Sequence, residues 1–243
     1  TNQSNAIPGI VKLLVSLNFF AKGDFQGCVA IMDGISQSSC SRALQKVLNF
    51  FSANFHKYIF FPSDMTYLHH VKEQLYEIAG LPNIIGIVDC SHVCFCPPSE
   101  TEHIYRNRKN SHSITVQFVC SYDMTFVDIV SKFPGSSHDS FILSKSALNQ
   151  HFVSGEFGES CLLGDSGYPL KSWLITPVWH PKTSQEKNRA HSATRSVIER
   201  AFGILKSKFR CLDITSGSLL YAPEKVCQIV LACVMFHNII IKR

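Results

Sequence analysis

The stretch NIIGIVDCSH, residues 83–92, constrains this chain more than any other. Ile84, Ile85, Gly86, Ile87 and Val88 run without polar alternation, the pattern of a buried central strand. The run then meets Asp89. A buried, unpaired carboxylate is costly, or its pKa moves until it takes up a proton. Asp89 is therefore either an acidic turn residue at a strand end or a metal ligand mounted on the most rigid element of an enzyme.

Two grammars lie on either side of this strand. Before residue 80 the apolar residues recur at helical spacing. Ile10, Leu13, Leu14, Leu17 and Phe20 predict a helix over 7–23 that ends at Gly23. Residues 24–55 read as a helix, a sharp turn at Gly34 and a longer helix from about Ser36, and a further helix follows the turn FPSD and stops at Gly80 and Pro82. A short helix, a glycine turn and a second helix opening on Ser38, Ser39, Ser41 and Arg42 make a helix-turn-helix pattern. Such a pair either contacts DNA through Arg42 or is part of a plain helical bundle. After residue 80 strands are expected over 83–90, 113–121, 126–133, 160–165 and 173–178, the second and third joined as a hairpin by SYDMT. Helices are expected over 138–152 and 191–209. The order predicts an α/β chain with a mixed sheet flanked by helices. Its domains would be a helical one, 1–80, and an α/β one, 81–243.

Composition narrows the class. With 45% hydrophobic and 17% charged residues, the 243-residue chain is globular rather than disordered or fibrous. A net charge of +5 permits a nucleic-acid partner without requiring one. The ten cysteines include no CxxC pair, and CFC at Cys94–Cys96 comes nearest to a ligand spacing. They are expected to be reduced thiols packed in an intracellular protein rather than a zinc site. The run VCQIVLACVMFHNIII, 226–241, is broken by Gln228, His237 and Asn238 and reads as a buried helix, not a membrane span. No basic-then-apolar leader opens the sequence, so secretion is not expected.

Three further acids stand in suggestive places. Asp165 ends the strand CLLGD before Ser166 and Gly167, Glu199 lies within the helix RSVIERAFGILK, and Asp139 opens a helix after PGSSH. Each has a plainer explanation. Asp165 could be a turn acid, Asp139 a helix-start acid favoured by the dipole, and Glu199 a solvated residue paired with Arg195 or Arg200. Together they are what hard divalent cations such as Mg²⁺ need, and two such ions can activate a water and stabilise a leaving oxygen in phosphodiester cleavage.

The basic residues support that chemistry. Arg195, Glu199 and Lys206 fall within about 40° of one helix face at 100° per residue. Residues 182–210 hold eight Lys or Arg against two Glu, a net +6. YRNRKNSH, 105–112, adds Arg106, Arg108 and Lys109 with no acid, and Tyr105 could stack on a base. Either patch could equally be a solvated surface.

Five ordered motifs carry a resemblance: GIVDCSHV, YRNRKNSHSITVQFVC, PGSSHDSFIL, LLGDSGYPL and AHSATRSVIERAFGILKSKFRCLD. They resemble the nuclease domain of PIF/Harbinger-type DDE transposases and their domesticated relatives, over essentially the whole chain. The resemblance implies an RNase H-like fold and a divalent-metal-dependent DNA endonuclease using Mg²⁺ or Mn²⁺. It implies Asp89, Asp165 and Glu199 as catalytic and metal-binding acids, with Asp139 as a further metal ligand. Arg195 and Lys206 match positions where related bacterial transposases hold DNA, although the tyrosine those enzymes carry upstream is replaced by His191 or Ser192. The implied partners are DNA and a Myb/SANT-like DNA-binding protein, with a possible homo-oligomer and no membrane. The implied location is the nucleus, with the cytoplasm. A catalytically silent DNA-binding or scaffold protein, or a ribonuclease on the same fold, are the readings that compete.

Overall fold

This computed structural model describes residues 7–23, 26–32, 34–177 and 189–243, with 79 and 189–194 described in backbone alone. The expected basic loop over 178–188, the far end of the fifth strand and the side chains of His191 and Ser192 lie outside the described residues.

The apolar run does become a central strand. β1 (Ile84–Cys94) is flanked by β2 (Ser113–Cys120) and β4 (Cys161–Leu163), with β3 (Phe126–Pro134) and β5 (Leu174–Ile175) at the edges, in the order β3-β2-β1-β4-β5. β1, β2 and β3 pair antiparallel, and β4 and β5 run parallel to β1. Both faces of β1 are covered, which is why its first half shows no polar alternation. Ile84 and Ile87 enter one apolar core, while Ile85 and Val88 enter the core on the opposite face. The register then fixes the acids. Ile87 pairs with Leu163, the last pair between β1 and β4. Two residues beyond each stand Asp165, past the end of β4, and Asp89, which is not at a strand end as expected but in the middle of β1, opposite Phe118 of β2. This mixed α/β sheet flanked by helices is the RNase H-like arrangement expected.

One face of the sheet carries α8 (Arg189–Lys208) and α9 (Pro223–Ile241), and the N-terminal helices α1 (Gly9–Lys22), α2 (Gln26–Met32) and α3 (Gln37–Asn54) join the same core. The α8 stripe Ile198, Ala201, Leu205 and Phe209 is buried as its spacing required. Phe51 of α3 meets Phe236 of α9 at 4.6 Å between ring centres, so residue 80 divides two sequence grammars across one shared core. Gly34 takes φ +66° between α2 and α3, and Ser36 caps α3 by accepting from the Ser39 amide. The helix-turn-helix elements are thus present, and Arg42 is exposed on α3.

The other face carries α6 (Asp139–Ser144) and α7 (Ala147–Val153), with α4 (Met65–Ala79) contributing Leu68. The single helix expected over 138–152 is two helices, because Ser146 leaves the first and caps the second through the Asn149 amide. A short helix, α5 (Glu102–Tyr105), was not anticipated. The fifth strand is only Leu174–Ile175.

By length and apolarity alone α9 could cross a membrane. Its packing explains those properties instead: Val226, Ile229, Val230, Cys233 and Met235 are core residues. Asn238 is held by Phe126 and the Tyr58 carbonyl, and His237 bonds the Met124 carbonyl at 2.8 Å. None of the ten cysteines is in a disulfide.

Candidate active site

Asp89 is set by β1 in a side chain only 12% exposed. Burial pushes its pKa up to about 6; the Cys90 amide and Arg195 pull the other way, and Asp165 and Asp139 push it further up. That mutual influence places three carboxylates in one electrostatic neighbourhood. Asp165 turns away from β4, with Oδ1 accepting the Gly167 amide at 2.8 Å. The turn-acid explanation is correct for that oxygen and leaves Asp165 Oδ2 for other work.

Gly167 shows how close Asp139 comes. A Cβ at this position would lie 2.9 Å from Asp139 Oδ2 and 3.0 Å from Asp165 Oδ1. The two carboxylates thus close over a glycine, and any larger residue would require one or both to shift. Asp139 is also in the first turn of α6, so its helix-start role and its place in the cluster coexist. Behind the acids Tyr168 is buried, and its hydroxyl lies 3.2 Å from the Cys90 thiol. Burial drives the pKa of both groups upward, with Asp139 adding to each, so both stay neutral and can donate toward carboxylates.

α8 brings the fourth acid with a cation between. Arg195 stands 3.3 Å from Glu199 and 3.8 Å from Asp89. Glu199 is exposed, so its plain pairing with Arg195 is realised, while Arg195 also reaches the strand acid. Further along α8, Lys206 donates to the His92 carbonyl at 3.5 Å. Burial lowers the Lys206 pKa, Asp213 opposes that shift, and Lys109 reinforces it. A cavity of about 290 Å³ lies here, lined by Ser91, His92, Asn107, Lys109, Lys206 and Asp213 among others. Neither this cavity nor a larger one of about 460 Å³ near Phe19 and Tyr221 is lined by any of the four acids.

The loop after α5 is built to face the same place. Buried Asn107 accepts the amides of Lys109 and Ser111 and donates to Ser113, which pins the turn that presents Lys109. A Cβ on Gly135 would come within 2.7 Å of the Tyr105 and Ser113 carbonyl oxygens, so glycine lets the PGSSH segment lie against this loop. Arg108 then reaches His138 Nδ1 at 2.7 Å, one residue before Asp139. Arg106 bonds Asn110 across the loop and is exposed.

Two motifs separate in sequence therefore meet beside Asp139, and residues 88–238, which contain all four acids, match the DDE superfamily endonuclease family. The chain belongs to that family. It is 41% identical to "Putative nuclease HARBI1" of Bos taurus and 40% identical to the Homo sapiens protein of the same name, each match covering 98% of this chain and 69% of the relative. It is 26% identical to "Protein ALP1-like" of Arabidopsis thaliana over 95% of this chain and 60% of that protein. The PIF/Harbinger-type resemblance read from the motifs stands.

For a DDE-family endonuclease the chemistry of the donors suits a hard divalent ion, and the Gly167 cradle sets two of them side by side. Yet among the described residues no three His, Cys, Asp or Glu converge as a metal-holding group. The acids stand as Asp139 with Asp165 and Asp89 with Glu199, the second pair joined through Arg195. Sequence reasoning named the acids and basic residues and read Gly167 as part of the turn after Asp165, but gave no role to the Tyr168–Cys90 contact, to the loop-pinning bonds of Asn107 or to Gly135. Gly167 lay inside LLGDSGYPL, where a glycine two residues after a strand-end acid is a readable signal.

Proposed function

We propose that this protein is a transposase-derived, divalent-metal-dependent endonuclease acting on DNA phosphodiester bonds. The observation that supports it most is the pairing of Asp139 with Asp165 over Gly167, close enough to buried Asp89 that both raise its pKa, in a chain whose family is that of DDE endonucleases. Asp89 and Asp165 would hold or bridge a pair of Mg²⁺ or Mn²⁺ ions, Glu199 would complete the second site, and Asp139 would add a further ligand. Bound there, the ions would activate a water for in-line attack and stabilise the departing 3′ oxygen.

The chain itself supplies position and charge. Lys206, Lys109, Arg108 and Arg106 hold strand phosphates along the rim, while Arg195 stands ready beside the acids. Neutral Tyr168 and Cys90 close the floor behind Asp139 against water. Arg42 on α3 is a more distant DNA contact in this reading. A Myb/SANT-like partner for end recognition, assembly with a second copy and residence in nucleus and cytoplasm belong to the same reading and rest on the family resemblance alone.

A second reading, a silent DNA-binding scaffold, draws on the Arg195 pairing and on the absence of a three-ligand cluster among the described residues. Incubation of the protein with DNA and with RNA in Mg²⁺ or Mn²⁺ separates the two. The nuclease reading expects metal-dependent cleavage of DNA in preference to RNA. DNA binding without cleavage supports the scaffold, and cleavage confined to RNA overturns the substrate.

A further inference from the structure

The geometry points to Arg195 as an internal counter-cation that holds the acid site shut and couples metal loading to DNA binding. The inference rests on the reading of Asp89 and Glu199 as metal ligands and names how that site is regulated.

Three observations carry it. First, the guanidinium stands between two carboxylates from different elements, 3.8 Å from Asp89 on β1 and 3.3 Å from Glu199 on α8. A positive charge there is in the place a divalent ion would take. Second, the contact is Coulombic rather than a clamp. Arg195 Nε is shielded from water yet makes no hydrogen bond, although it stands 3.3 Å from Glu199. The two-pronged fork that makes arginine–carboxylate pairs strong is absent. Third, the acids stand as two pairs, Asp139 with Asp165 over Gly167 and Asp89 with Glu199 on Arg195, and no three of them converge.

A cation that draws both pairs together must replace the guanidinium. Arg195 then loses its carboxylate partners and needs another anion, and a strand phosphate at the rim provides one. DNA therefore favours the state in which the metal site is open, and metal favours the state in which Arg195 is free for DNA. Reciprocity requires each to raise the affinity of the other by the same factor.

The test is calorimetric titration of Ca²⁺, a non-cleaving probe, into the protein with and without a short duplex. The wild type should bind Ca²⁺ weakly alone and roughly fivefold or more tightly with duplex, within the usual range of such couplings. Arg195→Gln should bind Ca²⁺ several-fold more tightly without DNA, and the gain on adding duplex should shrink. Arg195→Lys, whose shorter point charge cannot span the two carboxylates, should move in the same direction by less. Arg200→Gln, which removes a charge from the same helix, should leave Ca²⁺ affinity within twofold. An equal effect from Arg200→Gln means general charge repulsion and overturns the role of Arg195. So does an Arg195→Gln protein with wild-type affinity and coupling. If the wild type shows no saturable Ca²⁺ binding, or Asp165→Asn leaves binding untouched, the metal reading itself fails instead.

Discussion

At the scale of single residues the protein keeps charge where folding would remove it. Asp89 was legible because an acid in an unbroken apolar run has no packing reason to be there, and its pKa is indeed pushed up to about 6 by burial. Asp128 on β3 is a second such group, pushed up to about 6 by burial, with Oδ2 lacking any hydrogen bond. No sequence signal marked it, since acids are common on edge strands. A carboxyl group whose folded pKa is raised stabilises the protein only while protonated, and that contribution is lost as pH rises from about 4 through about 6. Asp128→Asn should therefore gain stability over the wild type across that interval and hold it above pH 6. The ceiling is roughly 3 kcal/mol for a shift from 3.8 to about 6. Urea unfolding at pH 4, 6 and 8 checks it; a gain independent of pH contradicts the buried charge. Gly167→Ala should push Asp139 and Asp165 apart, since its Cβ would sit 2.9 and 3.0 Å from their oxygens. A fall of about tenfold in Ca²⁺ affinity with little change in melting temperature is expected by calorimetry. Tyr168 and Cys90 escaped sequence reasoning because their meeting depends on β1 crossing the 165–168 turn, a contact without local pattern.

Elements were legible where one periodicity dominated and obscure where a single side chain decided. The α8 stripe, the hairpin and the apolar first half of β1 follow from spacing alone. The break between α6 and α7 does not, because the apolar residues on either side of Ser144-Lys145-Ser146 keep a helical spacing. The Ser146 hydroxyl, donating to the Leu143 carbonyl and accepting the Asn149 amide, marks where one helix ends and the next begins. The α9 helix shows the same limit. Its composition allows burial or a membrane, and Asn238 decides, donating to the Phe126 and Tyr58 carbonyls and accepting the Phe126 amide. Asn238→Ala strands those buried groups and should destabilise the protein by about 2 kcal/mol or more, measured by urea unfolding. Asp139 tests element against site. As a helix-start acid alone its change to Asn should cost about 0.3–1 kcal/mol and leave metal affinity intact. As a ligand its removal should weaken Ca²⁺ binding in a calorimetric titration, with little loss of stability in the metal-free protein.

Across the whole molecule, net charge gave little, while its distribution gave more. Fold class followed from the change of grammar at residue 80. The joining of YRNRKNSH to PGSSH through Gly135 and the Arg108–His138 bond could not be read before the chain was folded. If that rim and Lys206 carry strand phosphates, each contact removed should flatten the plot of log affinity against log salt by about 0.9 on duplex DNA. Lys206→Ala and Arg108→Ala should each do so on any sequence, and unchanged slopes in both would move the DNA path elsewhere. The account stands most directly on single-turnover cleavage of an end-labelled duplex in Mg²⁺, wild type beside Asp165→Asn. It predicts cleavage by the wild type that leaves 3′ hydroxyl ends, needs the metal and falls at least a hundredfold in the variant. Equal cleavage by both proteins, or cleavage undiminished by a chelator, would contradict it.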